Sequence, residues 1–499
     1  MATTLPHGTT VERRVTLPTK LFYGLGSVAY GIKDSGFSTL LLLFYNQVIG
    51  LDASLVGLAI MIALVADAFV DPVIGHFSDH LKSRWGRRHP FMYAAALPIG
   101  MLYILLWNPP IGATSSATVA YLVVVAIAVR SVISAYEVPS MALAPELTSD
   151  YHERTSVLGF RYLFGWLGGM GMLLLVFSVL LVPTAHYPQG TLNPQGYRNY
   201  SYVAAAIMTL TILASTLGTH HQIRFLPKPV GTRPPIARTF HEIIGTLSNR
   251  AFLVLFFAGV CLYTDQGLNF ALANYFNTYL WQFPSTFFVI YTLSVMAGVC
   301  LAMIWARLAS ARFGKKRSAI AFLCVRPLIA SAPLLGRALG LMPANGSTVL
   351  YPLLMAVVVV QVSIGVAATI LAASMMADVV EDAQARTGER REGVFFAGSF
   401  FMQKCVSGFG LFLSGTILTA VHFPAKAIPG KVPVAVLDHL IVSYCSLIVL
   451  FSGLGALVLA HYPLGGQVEH KRRLSELAEA GLLLPGAEGE PTSAAAAWQ

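Results

Sequence analysis

The chain has 499 residues, of which 56% are hydrophobic and 11% are charged, and its mean hydropathy is +0.66. Soluble domains carry about 25% charged residues, so this composition excludes a soluble protein and predicts an all-α polytopic membrane protein. The formal net charge of +10 does not indicate nucleic-acid binding. The basic residues lie in short segments between apolar runs, as they do in cytoplasmic loops.

Apolar runs that could cross a bilayer recur along the chain and predict about twelve transmembrane helices. The runs are 21–49, 54–78, 91–108, 116–146, 156–182, 199–218, 251–280, 286–308, 318–338, 348–377, 393–421 and 434–462. The loops on one side are rich in Lys and Arg, whereas the alternate loops hold little beyond Arg198, Lys426 and Lys431. Because Lys and Arg mark cytoplasmic loops, we expect both termini in the cytoplasm and the chain in the plasma membrane, the inner membrane of a bacterium.

The longest hydrophilic interruption, 219–250, divides the runs into six and six. We therefore predict an N-terminal six-helix bundle over 1–218, a central cytoplasmic loop over 219–250 and a C-terminal six-helix bundle over 251–462. The remaining residues, 463–499, are rich in Gly, Pro and Ala and predict a disordered cytoplasmic tail. Five cysteines inside the apolar runs show no metal or redox spacing, so we expect free thiols.

The two sets of six runs resemble each other. Motifs recur at an offset of about 230 residues: Asp34-Ser-Gly36 and Asp265-Gln-Gly267, Phe44-Tyr45-Asn46 and Tyr275-Phe276-Asn277, Trp85-Gly86-Arg87-Arg88 and Phe313-Gly314-Lys315-Lys316. Parallel six-helix repeats with a substrate site between them at the membrane midplane are an established transporter architecture. The repeat therefore predicts a site between the two halves.

Asp67 and Asp71 lie in the second apolar run, four residues apart and so on one face of a helix. Each ionised Asp at a membrane centre costs about 2.5–3.5 kcal/mol on insertion scales. Folding alone does not require this cost, so we expect the pair to face a polar cavity and to hold a cation.

Glu137, in the fourth run, adds a third acid, and Ser134 three residues earlier adds a hydroxyl or is only a small packing residue. Three acids in two helices are difficult to explain as ion pairs, because like charges repel. A bound cation removes the conflict, either a sodium ion at Asp67, Asp71 and Glu137 or a proton on one carboxylate. Mutual ion pairing that only locks helices together is the alternative for any intramembrane charge. We prefer it for Lys33, Arg130 and Arg326 and leave Asp265 open.

Arg161 and Lys404 are complementary charges in the fifth and eleventh runs, which are equivalent in the two repeats. We expect Lys404 to face the acids across the cavity, so that cation loading changes the attraction between the halves. The segment from Gly75 to Arg88 contains Asp79, Arg87 and Arg88. We interpret it as a gate on the cytoplasmic side, although ordinary positive-inside charge would also explain its basic residues.

Over about residues 20–460 the chain resembles the major facilitator superfamily, and more closely the glycoside–pentoside–hexuronide:cation symporters, the melibiose-permease group. The motifs that carry the resemblance are Tyr23-Gly-Leu-Gly26 with Lys33-Asp34, Asp67-Ala-Phe-Val-Asp71-Pro72, Gly75 to Arg88, Glu137-Val-Pro139, Arg161, Met376-Ala-Asp378-Val-Val and Arg391-Glu-Gly393 with Lys404. The resemblance implies a major facilitator fold. It also implies cation-site roles for Asp67, Asp71, Ser134 and Glu137, substrate-binding roles for Asp34, Glu137 and Arg161, and a role linking the halves for Lys404.

Departures from the family pattern refine the expected function. Val70 stands where sodium-coupled members often have Asn, which favours a proton over sodium as the coupling ion. Met141 and Thr369 replace Trp residues that flank galactoside in melibiose-type carriers, so an α-galactoside preference is not carried over. We expect symport of a sugar, glycoside or sugar acid by alternating access; a lysolipid or another amphiphile is the alternative substrate. We expect no cofactor, no nucleic acid and no obligate protein partner besides the lipid bilayer.

An enzyme is the remote alternative. Asp67-x₃-Asp71 and Asp378-x₃-Asp382 superficially match the Asp-rich motifs with which intramembrane prenyltransferases bind diphosphate and magnesium. The twelve spans, the six-plus-six repeat and the absence of a denser Asp motif favour a transporter, so we predict that the chain is not an enzyme. A transporter-like sensor would need a sizeable attached soluble domain, which the sequence lacks.

Overall fold

The computed structural model describes residues 15–148, 150–226, 245–246, 249–387 and 392–463. Most of the predicted central loop and nearly all of the predicted tail lie outside these ranges. Within the described residues the regular elements are all helices, and eleven of them are long and apolar enough to cross a membrane. The five cysteines, all within these ranges, are free thiols, as predicted.

The helices are numbered α1 to α12 in chain order. The first, α1, is a run of consecutive segments: α-helices Leu17–Leu25, Ser27–Ser35 and Leu41–Leu43, with π-helical segments Gly36–Leu40 and Phe44–Ile49. The others are α2 Ala53–His80, α3 His89–Trp107, α4 Ser115–Leu147, α5 Tyr151–Leu175, α6 Pro194–His220, α7 Arg250–Tyr275, α8 Ser285–Phe313, α9 Lys315–Ala338, α10 Leu350–Thr387, α11 Glu392–Ala420 and α12 Val434–Ala460. Together they account for the twelve predicted spans.

Side-chain caps set where several helices begin. Asp52 accepts hydrogen bonds from the backbone N–H groups of Ser54 and Leu55 at the start of α2. Thr114, Asp150, Asn193 and Asn249 do the same for α4, α5, α6 and α7. These caps satisfy backbone donors that a helix N-terminus leaves without partners. The sequence thus defines helix starts independently of the apolar pattern.

The two halves, α1–α6 and α7–α12, share a backbone feature at equivalent places. α7 continues into a π-helical segment, Phe276–Leu280, and α1 has one at the equivalent place, Phe44–Ile49. These segments carry the paired motifs around Asn46 and Asn277. Between the halves, α2 packs along α11 and α5 packs against α8, which are equivalent contacts in a six-plus-six repeat.

The α2–α11 contact is close because glycines lie in it. A Cβ on Gly415 would lie 2.1 Å from the carbonyl oxygen of Ala53, and a Cβ on Gly57 would lie 2.9 Å from the Cα of Phe412. Small residues let helix backbones approach each other directly, which is typical of helix packing in membranes. This packing brings the polar positions of α2 and α11 within reach of each other farther along the same contact.

Hydrogen bonds join the halves at the end of the bundle that carries the α1–α2 connection, here named the far face. Gln47 Oε1 accepts from the Tyr279 hydroxyl at 2.9 Å and from the backbone N–H of Ala427 at 2.9 Å. Asn46 Oδ1 accepts from the Tyr275 hydroxyl at 2.9 Å. All four of these side chains are buried, so this network closes the far face in the present conformation.

The cap of α2 adds to this closure. The Thr419 hydroxyl of α11 donates to Asp52 at 3.1 Å. Partial burial raises the pKa of Asp52, but the hydrogen bonds from Ser54, Leu55 and Thr419 more than offset it and leave the pKa below its usual value. Asp52 is therefore an anion at neutral pH and keeps its bond to the C-terminal half.

Candidate functional site

Asp67 is the most buried acid of the predicted site, with 1% of its surface exposed. The Nε and Nη2 atoms of Arg130 both donate to its Oδ2 atom, at 3.0 and 2.8 Å. The Ser134 hydroxyl donates to the other oxygen, Oδ1, at 2.7 Å. Arg130 also stacks on the ring of Phe37, 5.2 Å from its centre. Asp67 is thus held by two side chains of the neighbouring helix α4.

Lys404 of α11 connects the two halves at this point. Its ammonium group lies 3.0 Å from Asp67 Oδ2 and donates to Asp71 Oδ2. The other oxygen of Asp71, Oδ1, is buried and has no hydrogen-bond partner among the described residues. The expectation that Lys404 faces the acids of the N-terminal half agrees with this geometry. Asp71 is therefore incompletely satisfied, in contrast to Asp67.

Glu137 lies one helical turn from Ser134 on α4, and its Oε2 atom is also buried without a partner in the described part of the chain. It interacts electrostatically with Asp71 and Lys404. Arg161 of α5 is 6% exposed. It donates to the Ser140 hydroxyl at 2.9 Å and to the backbone carbonyl of Glu137 at 3.4 Å. The ion pairs described by the structure give Arg161 no carboxylate partner.

Asp34 lies near the middle of α1 with 42% of its side chain exposed, while the side chain of its ion-pair partner Lys33 is 1% exposed and lies 2.7 Å away. Arg130 interacts electrostatically with both Asp34 and Asp67. The predicted site residues Asp34, Asp67, Asp71, Glu137, Arg161 and Lys404 therefore belong to one charged region. This region contains four acids and four bases, Lys33 and Arg130 being the remaining two.

The structure corrects the argument that these acids cannot be explained as ion pairs. Arg130 and Lys404 both neutralise Asp67, so like-charge repulsion alone does not require a bound cation. Both oxygens of Asp67 accept hydrogen bonds in this arrangement, from Arg130 and Ser134. The sodium alternative at Asp67, Asp71 and Glu137 stays a prediction, as does the proton.

Arg130 was expected to form an ion pair that locks helices, and it pairs with Asp67, the most buried acid of the site. One functional candidate was missed in the sequence. Glu146, near the end of α4, was not singled out, but its Oε1 atom accepts from Arg87 at 2.7 Å and from Arg88 at 2.6 Å. Its position in the sequence could have indicated this pairing, because the predicted fourth run ends on the same side of the membrane as the loop that holds Arg87 and Arg88.

We name the end of the bundle that carries this loop the loop face. Asp79 pairs with Arg88 at 2.8 Å. In the C-terminal half, Lys315 pairs with Asp378 of α10 at 2.7 Å, at positions equivalent to Arg87 and Glu146. These pairs lie within each half. The gate role of Asp79, Arg87 and Arg88 thus remains a prediction, and Asp378 has an ion-pair partner that explains it without a diphosphate site.

Comparison with known proteins gives the family. A family model described as MFS/sugar transport protein, where MFS denotes the major facilitator superfamily, matches residues 22–466. The chain belongs to this family. It is 27% identical over 488 residues to an uncharacterized symporter of Synechocystis, covering 83% of this chain and 87% of the relative. It is 24% identical over 442 residues to the isoprimeverose transporter of Lactiplantibacillus pentosus, covering 88% and 87%.

The fold is also that of solved major facilitator transporters. The inward-open structure of the xylose transporter XylE from E. coli matches with a TM-score of 0.60 at 13% identity, covering 92% of this chain and 98% of that chain. The resemblance to glycoside–pentoside–hexuronide symporters and the major facilitator fold are therefore confirmed. The protein is a multi-pass membrane protein and a secondary transporter, and the prediction that it is not an enzyme is confirmed by these relatives.

Proposed function

We propose that this family member is a cation-coupled symporter of a sugar, glycoside or sugar acid, with the proton as its coupling ion. The observation that carries the proposal is the position of the Lys404 ammonium group. It comes from the C-terminal half and contacts both Asp67 and Asp71 of the N-terminal half. Any event that neutralises Asp71 removes one of the charges that attract Lys404, and so changes how strongly the halves hold each other.

A proton is the cation that suits the incompletely satisfied oxygens. Asp71 Oδ1 and Glu137 Oε2 are buried without partners in the described chain. A proton bound to one of these carboxyl groups gives it an O–H donor, which can form a hydrogen bond that the ionised group cannot make. Lys404 already occupies the space between Asp67 and Asp71 as a cation. Asp71 and Glu137 are therefore the proposed proton carriers, while Arg130 and Ser134 hold Asp67 in place.

The proposed transport cycle is one of alternating access, in which the site opens to one side of the membrane at a time. The far face is closed by the network around Gln47, whereas Asp34 at mid-membrane is 42% exposed, so we propose that the site is reached from the loop face. With both termini in the cytoplasm, as the Lys and Arg distribution predicts, this conformation faces inward in the plasma membrane. Protonation and substrate binding would then favour the state in which Lys404 is released.

Carbohydrate is the proposed substrate class. Carboxylates accept pairs of hydroxyl hydrogen bonds and arginine donates in a planar fork, which suits Asp34, Glu137 and Arg161. The name of the isoprimeverose transporter supports a sugar for a relative of this chain. Lys404 would contact the substrate from the opposite half.

The test is a transport assay in vesicles that contain the purified protein. A panel of neutral sugars, glycosides and uronates is added while the internal pH and internal sodium are recorded. We expect one class to drive proton entry that is independent of sodium. Sodium entry in place of proton entry would overturn the choice of ion. Ion entry driven by a lysolipid but by no sugar would overturn the substrate class.

A further inference from the structure

The end of α8 and the start of α9 form a basic segment, residues 307–317, at the loop face. Its basic residues are Arg307, Arg312, Lys315, Lys316 and Arg317. No Asp or Glu occurs between Asp265 and Asp378, so α8 and α9 supply no acid of their own. The basic segment therefore carries a concentrated positive charge that its own two helices do not neutralise.

Most of this charge has no acidic partner in the described part of the chain. Lys315 pairs with Asp378, and Lys316 donates to the backbone carbonyl of Tyr462. None of the ion pairs among the described residues involves the other three basic side chains. These three are all exposed: Arg307, Arg312 and Arg317. Their charges are available to a ligand outside the protein.

The part of α8 that leads into the basic segment is exposed and apolar. Among the eleven candidate spans, that of α8 is the least buried, with 22% of its most apolar stretch inside the protein. Its exposed side chains include Met303, Ile304, Trp305, Leu308 and Phe313. In a membrane protein such a surface faces lipid chains, and Trp is enriched where the chains meet the headgroups. The end of α8 thus has the character of a membrane interface.

The spacing along α8 places apolar and basic groups on one side of the helix. Arg312 follows Trp305 by seven residues, which is close to two helical turns and about 10 Å along the axis. Gly314 ends α8 with a φ of +79°, and a Cβ there would meet nothing within 4 Å, so the space beside it is open. α9 then begins without a side-chain cap, and the partial positive charge of its N-terminus adds to that of the arginines.

We propose that the basic segment and the exposed end of α8 form a binding site for an anionic phospholipid. The headgroup phosphate contacts Arg307, Arg312 and Arg317. The acyl chains lie along Trp305 and Leu308. Guanidinium groups bind phosphate oxygens with paired hydrogen bonds, and clusters of basic residues at the end of a transmembrane helix attract anionic headgroups.

The lipid must be anionic for this site to prefer it. A phosphocholine headgroup carries its own cation, which offsets the attraction of its phosphate to the arginines, whereas a phosphatidylglycerol headgroup does not. The site uses none of the residues of the charged region between the two halves. It therefore stands independently of the proposed symport, its substrate and its coupling ion.

The experiment uses the purified full-length protein in phosphatidylcholine nanodiscs that contain rising fractions of brominated phosphatidylglycerol or brominated phosphatidylcholine. Bromine atoms on a lipid chain quench the fluorescence of a neighbouring tryptophan, so Trp305 reports which lipid lies beside it. The other tryptophans that are exposed or lie outside the described residues are replaced by Phe: Trp85, Trp166 and Trp498. Trp107 and Trp281 are buried and are kept.

One variant of this background combines three changes that remove the phosphate contacts: Arg307→Gln, Arg312→Gln and Arg317→Gln. The matched control removes three exposed basic residues from the loop face of the N-terminal half: Lys82→Gln, Arg84→Gln and Arg224→Gln. Both variants lose the same net charge, so a diffuse attraction of the loop face for anionic lipid would fall equally in both. Arg312→Gln alone is the milder change, and thermal unfolding identifies variants that fail to fold.

We expect brominated phosphatidylglycerol to quench Trp305 at a mole fraction about fivefold or more below that of brominated phosphatidylcholine. The triple arginine variant should lose this preference, Arg312→Gln should reduce it, and the control should keep it. Equal quenching by the two lipids in the background protein would overturn the proposal. So would a preference that survives the arginine changes, or one that falls equally in the control, which would leave only ordinary positive-inside charge.

Discussion

Lys404 is the side chain through which the C-terminal half reaches the acids of the N-terminal half. It shares Asp67 with Arg130 but is the ion-pair partner of Asp71 in the described structure. Loss of Lys404 would therefore leave Asp67 paired and Asp71 unpaired. This difference separates Asp67, which anchors the site, from Asp71, the proposed proton carrier.

Asp71→Cys should abolish uphill uptake, because a neutral thiol near pH 7 can neither hold Lys404 as an anion nor carry the coupling proton. Downhill exchange of substrate across vesicles should be affected much less. The assay compares concentrative uptake with exchange in the same preparation. Asp438→Cys, at the start of α12, is the control for an acid outside the site. Normal concentrative uptake by the Asp71 variant would remove its coupling role.

Lys404→Ala should reduce the transport rate by about tenfold or more, a typical coupling effect, while the protein still folds. Asp71→Asn combined with Lys404→Ala should restore thermal stability towards wild type, since removing both partners leaves no unpaired buried charge, but it should not restore coupling. Transport rate and unfolding temperature are the two measurements. The exposed Lys431→Ala serves as control, and a normal rate for Lys404→Ala would contradict the prediction.

Sequence reasoning found the acids but not all of their partners. Two Asp residues four apart in an apolar run indicate a functional site on energetic grounds alone. The pairing of Arg130 with Asp67, and of Glu146 with Arg87, depends on how α4 packs against α2 and against the loop face. Spacing along one helix does not contain that information, because a partner on another helix is fixed by tertiary packing.

At the scale of helices, the α2–α11 contact combines close glycine packing with the charged pair. Gly57 and Gly415 allow direct backbone contact near the far face, and Lys404 meets Asp71 farther along the same two helices. The register of α11 against α2 therefore determines which residues of α2 Lys404 can reach. A change in glycine packing should alter the site from a distance.

Gly415→Val should destabilise the protein, because its added carbon atoms would overlap the carbonyl oxygen of Ala53; overpacking of this kind costs about 1–3 kcal/mol. Gly453→Val in α12 is the matched control, since a Cβ there meets nothing within 4 Å. The unfolding temperature of the purified proteins measures the difference. Equal temperatures for the two variants would show that α2 and α11 do not pack as closely as described.

The repeat could be predicted at the scale of helices, but its finer features could not. The offset of about 230 residues correctly related the motifs around Asn46 and Asn277, which both lie in π-helical segments. The division of α1 into short segments was not predicted. In a π-helical segment each backbone hydrogen bond spans five residues instead of four. This change leaves the run apolar, so hydropathy does not reveal the segment.

For the whole molecule, the far-face network is the barrier that the proposed alternating-access cycle would have to break. Gln47 contributes both a donor and an acceptor to the opposite half, because its Nε2 atom donates to the backbone carbonyl of Pro424 at 3.1 Å. Each such bond contributes about 0.5–1.5 kcal/mol net. A few bonds of this size hold the closed state firmly and still permit opening.

Gln47→Leu should shift the molecule towards opening at the far face by about tenfold or more, since it also leaves Tyr279 and the Ala427 N–H without a partner. The readout is the rate at which a polar maleimide labels a Thr278→Cys reporter, which is buried in the closed state. Faster labelling is expected. Gln195→Leu, an exposed glutamine of α6, should leave the rate unchanged; equal rates for both variants would exclude Gln47 from the network's function.

The balance of four acids and four bases in the charged site has an electrical consequence. In the proposed cycle, with Lys33, Arg130, Arg161 and Lys404 ionised opposite ionised Asp34, Asp67, Asp71 and Glu137, the unloaded carrier would move no net charge when it reorients. Loading one proton with a neutral sugar makes the complex monovalent, and the membrane potential then acts on that step with about 2.3 kcal/mol per 100 mV. Loading one proton with a sugar anion leaves the complex neutral. An imposed voltage should therefore accelerate uptake of a neutral substrate and leave uptake of an acidic one unaffected.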